Sequence, residues 1–182
     1  MARPASALRG LILESAAQLF AAHGYEGTSL HDIASAVGCS KASLLYHFAS
    51  KETILTELLT PAGAELAELD AALAGLDGDE AAEAAVPGYV DLALRFRRET
   101  KILLADIPGM TCHPALGSIP DIVDRLLDAL AGRSADTADV VAAHMVLGAV
   151  FVTCASDLEL PDQDLRPELI RSALRTLGRE PG

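Results

Sequence analysis

The sequence predicts an all-α protein with a small three-helix head, residues 1–51, and a larger helical body, residues 52–182. Three observations lead there. Apolar residues recur every three or four positions along most of the chain, the spacing that gives a helix one buried face. Two of these patterns near the front are short and meet at a three-residue turn, Gly38-Cys39-Ser40. Charge divides at the same place: residues 1–51 carry four basic and three acidic side chains, a net of +1, and the remainder carries 10 basic and 23 acidic. An acidic body repels polyanions while a near-neutral face can approach them, so the two parts suit different partners.

In the head, Leu8, Leu11, Ile12, Ala16, Leu19 and Phe20 carry a helical pattern to His23, and Gly24 ends it. Ser29 opens the second helix with Asp32 three places on, a capping-box start, and Leu30, Ile33, Ala34 and Val37 form its apolar face up to Gly38. Ser40 caps the third, in which Leu44, His47 and Phe48 face inward while Lys41, Ala42, Ser43, Leu45 and Tyr46 lie around the outside. Two short helices on a glycine-containing turn make a helix-turn-helix, whose second helix enters the DNA major groove. Small Ala42 and Ser43 suit close approach, and an N-terminal turn presents backbone N–H groups to phosphate. A helical hairpin in an ordinary core has the same spacing, so spacing alone leaves both open.

In the body, Ile54, Leu55, Leu58, Leu59, Leu66 and Leu69 extend a helix from Glu52 to Leu76, weakened by Pro61 and Gly63. LDGDE breaks the chain at Gly78. A second helical stretch runs from Glu80 to Leu104, with Pro87 and Gly88 as an irregularity, and IPGMTCHPALGSIP reads as a loop. Three helices follow, Ile122 to Ala131, Thr137 to Leu158 and Pro167 to Leu177, separated by GRSAD and ELPDQD. The run Val140 to Ser156 is apolar nearly all round and needs cover on more than one side. At 17 residues with His144 inside, it falls short of the ~18 of a membrane span and reads as a buried helix.

The bulk numbers narrow the class. With 51% hydrophobic and 22% charged residues, the chain can bury a substantial core. Three widely spaced cysteines without a CxxC pair suggest neither a disulfide framework nor a zinc ribbon, and they fit a reducing cytoplasm. The N-terminus MARPASALRG has no apolar signal-peptide core. GCSKA at 38–42 is a near miss to a nucleophile elbow in the wrong context, and no phosphate-loop glycine pattern occurs, so no enzyme and no cofactor are expected. A rival reading is a helical small-molecule-binding or metal- and redox-sensing protein using Cys112, His113, His144 and Cys154. Against it, His144 and Cys154 stand ten positions apart, on different faces of one helix.

The ordered phrase TSLHDIASAVGCSKASLLYHFASKETIL, preceded by AAHGYEG, resembles the DNA-binding domain of the tetracycline-repressor (TetR) family of bacterial transcription regulators over Leu11 to Leu58. The resemblance implies a homodimeric repressor that binds double-stranded operator DNA through its head and a small, largely apolar effector through its body. It puts Ser29 and His31 where the second helix meets DNA. Lys41, Ala42 and Ser43 fall at the base-facing start of the recognition helix, and Tyr46, His47 and Lys51 at positions that touch phosphate. Leu45 stands where many members have tyrosine, which leaves only apolar contact there, for example with a thymine methyl group. The family pairs its last two helices across the dimer. Here Val141, Gly148, Val152 and Ala155, with Leu169, Ile170, Ala173, Leu174 and Leu177, are the surface expected for that. The opposite side of the same helix, His144, Leu147 and Phe151, is expected to line a ligand pocket with Tyr89, Phe96, Met110, Cys112 and His113.

Overall fold

The computed structural model describes residues 5–105 and 116–179. Among these residues there are nine helices and no strand: α1 Ala5–His23, α2 Leu30–Val37, α3 Lys41–His47, α4 Lys51–Leu73, α5 Gly78–Arg95, α6 Arg97–Ala105, α7 Ile119–Leu130, α8 Thr137–Ala155 and α9 Asp162–Thr176. They form two compact units, one of residues 1–61 with 101–117 and one of residues 62–100 with 118–182. The division falls inside α4, after Pro61, whereas the sequence places it before Glu52, and part of α6 belongs to the head unit.

The head core is built from α1 to α4 and the end of α6. Ile12, Ala16 and Phe20 of α1 meet Ile33, Leu44, Phe48, Ile54 and Leu55, all at most 1% exposed, and Ile102 joins them. Full burial of such side chains stabilises by roughly 1.5–3 kcal/mol each, enough to hold helices as short as α2 and α3 that would not persist alone. Both ends of α2 are closed. The Ser29 hydroxyl accepts from Asp32 N–H while the Asp32 carboxylate accepts from Ser29 N–H, and Gly38 takes a left-handed φ of 72° that ends the helix and starts the turn. A side chain at Gly38 would strain that backbone.

The body core gathers Tyr89, Val90, Ile122, Leu126, Leu130, Val146 and Val150, with α5 packed on α7, α8 and α9. Pro87 does not interrupt α5, and neither does Gly88: a Cβ at Gly88 would stand 2.5 Å from Leu69 Cδ1, so the glycine allows α4 and α5 to approach closely. The irregularity expected at Pro87 and Gly88 is found instead at Phe96, which separates α5 from α6. Arg133 closes the end of α4, donating to Leu73 O at 2.8 Å and Leu76 O at 2.7 Å. Helix α9 begins earlier than its apolar pattern, at Asp162 rather than Pro167, because Asp162 and Asp164 supply the acidic first turn that a helix N-terminus favours. Helix α8 is covered on one side only among the described residues. Ala143, Val146, Val150 and Cys154 are buried, whereas Val141 is 51%, Met145 60% and Val152 51% exposed.

Candidate functional site

The segment between α1 and α2 holds the head in shape. Thr28 is buried, and its hydroxyl donates to Gly24 O at 2.9 Å. The Tyr25 ring stands edge-on to Phe20 at 5.3 Å, and burial pushes its phenol above the usual range, with the charges of Glu26 and Glu52 adding to the shift. Lys51 closes the same turn: its Nζ donates to Tyr25 O at 2.7 Å and lies 4.0 Å from the Tyr25 ring centroid. Lys51, expected at phosphate, thus has one of its three ammonium donors on a backbone carbonyl of the head. Sequence reasoning missed Tyr25 and Thr28, whose signal was present in HGYEGTS. Arg9 is likewise engaged, paired through its guanidinium with Glu57 and lying 4.7 Å from the Phe48 ring centroid.

With those two cations engaged within the head, the outward chemistry of the helix-turn-helix falls to α3. Leu44 and Phe48 bury one side, so Lys41, Ala42, Leu45 and Tyr46 share the exposed one, Leu45 at 40% and Tyr46 at 84%. No ion pair of Lys41 occurs among the described residues. Ser43 is half-buried, and its N–H donates to the capping hydroxyl of Ser40 at 3.1 Å, so that donor of the first turn is already occupied. His47 is also half-buried rather than packed inside, its ring edge-on to Tyr46 at 5.3 Å. On α2, His31 is exposed, while the Ser29 hydroxyl donates to Asp32 at 2.7 Å. Ser29 acts first as a cap. Its hydroxyl and N–H hold the Asp32 carboxyl below the usual range.

The body departs further from expectation. His144 does not face a pocket: it lies on the exposed side of α8, its Nδ1 2.8 Å from Val140 O, a distance that leaves the ring against its own helix. Tyr89 is buried, and its hydroxyl donates to Leu147 O at 2.9 Å, so its polar atom is satisfied within the core. Phe96, Leu147 and Phe151 are half-buried. Met110, Cys112 and His113 lie outside the described residues. Ala155, Ala173, Leu174 and Leu177, expected at the dimer surface, are instead buried in their own chain, at 4–7% exposure, while Leu169 and Ile170 are half-buried against the same core. Val141, Gly148 and Val152 remain exposed, and Met145 joins them. His144 is exposed and Cys154 buried, the Cys154 thiol pushed up by burial, and no group of three potential metal ligands occurs among the described residues.

Comparison with known proteins meets this geometry at the head first. The sequence model of the tetR family of bacterial regulatory proteins matches residues 12–58. Over 47 residues the chain is 49% identical to the biofilm operon icaADBC HTH-type negative transcriptional regulator IcaR of Staphylococcus aureus, a match covering 26% of this chain and 25% of that protein. The chain thus spans about a quarter of the length of the curated relatives it matches. Over 90% of its length it superposes on the tetR-family regulator PfmR of Thermus thermophilus, with a TM-score of 0.65, 26% identity and 97% of that chain covered. AibR, solved in complex with isovaleryl coenzyme A and operator DNA, shares the fold at a TM-score of 0.63 and 23% identity over 91% of this chain and 97% of its own. Over residues 12–58 the head is similar to the tetR family of bacterial regulatory proteins, and the described helices share the fold of solved tetR-family regulators.

Proposed function

We propose that this protein is a ligand-responsive transcriptional regulator, a repressor that binds double-stranded operator DNA as a homodimer and leaves it when a small, largely apolar molecule binds the body. The observation that carries the reading is the outward face of α3, where Lys41, Ala42, Leu45 and Tyr46 stand free of the head core on the second helix of a helix-turn-helix. The 49% identity of this segment to a negative regulator supports repression. The exposed side of α8 supports a dimer: Val141, Met145, Gly148 and Val152 form an apolar stripe on successive turns, and two-fold pairing of one such stripe with its copy removes it from water. The neighbour solved with an acyl coenzyme A and operator DNA supports an effector that carries an apolar part. For the effector site we retain Tyr89 and Leu147, which belong to the body core, with the half-buried Phe96 and Phe151.

A dimer of this kind reads two half-sites about one DNA turn, ~34 Å, apart or somewhat more. The test is to sequence the genomic fragments bound by the purified protein and footprint the strongest of them. A protected near-palindrome whose binding weakens as an effector is titrated supports the reading. Binding with equal strength to all sequences, or to none at low salt, overturns it.

A further inference from the structure

The recognition face of α3 has an unusual composition for a reader of base edges. Helix α3 is KASLLYH and its preceding turn GCS: neither contains Arg, Asn, Gln, Asp or Glu. Those are the side chains that make paired hydrogen bonds to guanine or adenine, or accept from cytosine; of the strong readers only lysine remains. On the exposed side the hydrogen-bonding groups are the Lys41 ammonium and the Tyr46 hydroxyl, with the Ser40 hydroxyl and the half-buried Ser43 at the start of the helix. Ala42 and Leu45, between Lys41 and Tyr46 and three positions apart, lie on one face of the helix, with Leu45 40% exposed to water. Leu44 beside it is fully buried, so the apolar Leu45 is not held outside for want of core positions.

Resting on the reading of this chain as an operator-binding regulator, we propose that Ala42 and Leu45 form a methyl-reading surface. Each operator half-site then presents at least one thymine whose C5-methyl group packs against Leu45, and at that position the protein recognises the methyl group rather than the hydrogen-bonding pattern of the base pair. Thymine is the one base that places an alkyl group in the major groove, and a leucine side chain has nothing else there to bond. Ala42 has only a methyl group of its own, which leaves room for the base edge to come close to the helix. Lys41 at the start of α3 supplies the remaining polar contact. Leucine meets sugar atoms as readily as a methyl group, so the test must separate the two.

The experiment starts with a pool of randomised DNA duplexes, from which the wild-type protein selects its preferred site. In the selected duplex each thymine is replaced in turn by deoxyuridine, which removes only the methyl group, and separately by cytosine and by 5-methylcytosine with guanine opposite. Affinities are measured by fluorescence anisotropy for wild type and for Leu45→Ala, whose melting temperature is checked first. At one or more thymines per half-site deoxyuridine should weaken binding about fourfold, the equivalent of one methyl group withdrawn from an apolar contact. At the same position 5-methylcytosine should bind within about twofold of thymine, and cytosine should bind like deoxyuridine. In Leu45→Ala the thymine and deoxyuridine duplexes should bind alike, as a thermodynamic cycle requires if the methyl and the side chain touch. Sequence-specific binding with every thymine replaceable at no cost overturns this inference and leaves the regulator reading standing. A deoxyuridine penalty that persists undiminished in Leu45→Ala overturns the assignment to Leu45. Failure to select any duplex removes the regulator reading, and this one with it.

Discussion

Replacing Lys51 with methionine separates two roles that the same residue could have. Methionine keeps most of the apolar stem but removes the ammonium, which donates to Tyr25 O at 2.7 Å and sits 4.0 Å from the Tyr25 ring centroid. A hydrogen bond from a charged donor contributes about 1.5–3 kcal/mol, and the 21% exposure of the Lys51 side chain puts this one near the lower end. The cation–π contact adds about 0.5–1 kcal/mol. The approach to Glu26, at 3.8 Å and with the Glu26 side chain 77% exposed, adds close to nothing. The total is about 2 kcal/mol, which for a chain of this length lowers the melting temperature by about 4–8 °C. The assay pairs a thermal melt with the salt dependence of operator binding. A lysine withdrawn from the DNA backbone reduces the slope of log K against log salt by about 0.9 for each phosphate no longer neutralised. Lys51→Met should destabilise the protein and leave that slope unchanged at temperatures where it is folded. An unchanged melting temperature with a flatter slope would refute the structural role and return Lys51 to the phosphate backbone.

Other outcomes follow from the same geometry. Val152→Asp places a charge in the apolar stripe of α8 and should convert dimers to monomers in sedimentation, whereas Ala173→Asp, at a position 5% exposed in its own chain, should unfold the body instead. Tyr89→Phe removes the donor to Leu147 O and should cost ~1 kcal/mol in denaturant unfolding. Because burial raises the Tyr89 phenol above its ordinary value, its contribution is fully present below about pH 10 and is lost as pH rises toward the raised value; the wild type should therefore lose stability relative to Tyr89→Phe only in the alkaline range. Ser29→Ala removes the hydroxyl that holds the Asp32 carboxyl low, so a carboxyl titration followed by NMR should show Asp32 moving up toward the ordinary range. In the wild type that cap stabilises above the ordinary carboxylate range and is lost as pH falls through the depressed value, and the acid limb of the melt should be shallower in the variant.

The head was legible because each of its helices is amphipathic and punctuated. Ile33 and Ala34 of α2 point one way, Ser29 and Gly38 mark its ends, and the inward Leu44 and Phe48 of α3 fix the outward Ala42 and Leu45 by periodicity alone. What could not be read there was where long side chains go. Lys51 looks from the sequence like a cation available to phosphate, yet its partner Tyr25 lies 26 residues away, and the Arg9 guanidinium is engaged by Glu57, 48 residues on. A lysine carries its charge on a flexible four-carbon stem, so its position along the helix does not determine where the ammonium ends up.

The body hid its orientation for the opposite reason. Helix α8 is apolar nearly all round, and a helix without a polar side carries no signal of its own rotation, so the faces assigned to pocket and partner could not be phased from its sequence. His144 illustrates the failure: as the one ionisable side chain within the run apart from the buried Cys154, it invited an inward, ligand-orienting role, yet it shares the exposed side with Val141 and Met145. The buried side is chosen by what fits against α5, α7 and α9, where Ala143, Val146, Val150 and Cys154 pack without the longer Met145. For α9 the reverse holds. Its apolar residues Ala173, Leu174 and Leu177 are already committed to its own core, and Arg166, Arg171 and Arg175 face outward. If two copies pair through these helices, the apolar part of the contact must come from α8, and α9 contributes a rim of mixed charge in which Arg166 is held by Asp91 and Arg171 by Glu168. A dimer built that way draws its affinity from the short stripe of Val141, Met145, Gly148 and Val152, which is why a single charge at Val152 should be enough to dissolve it.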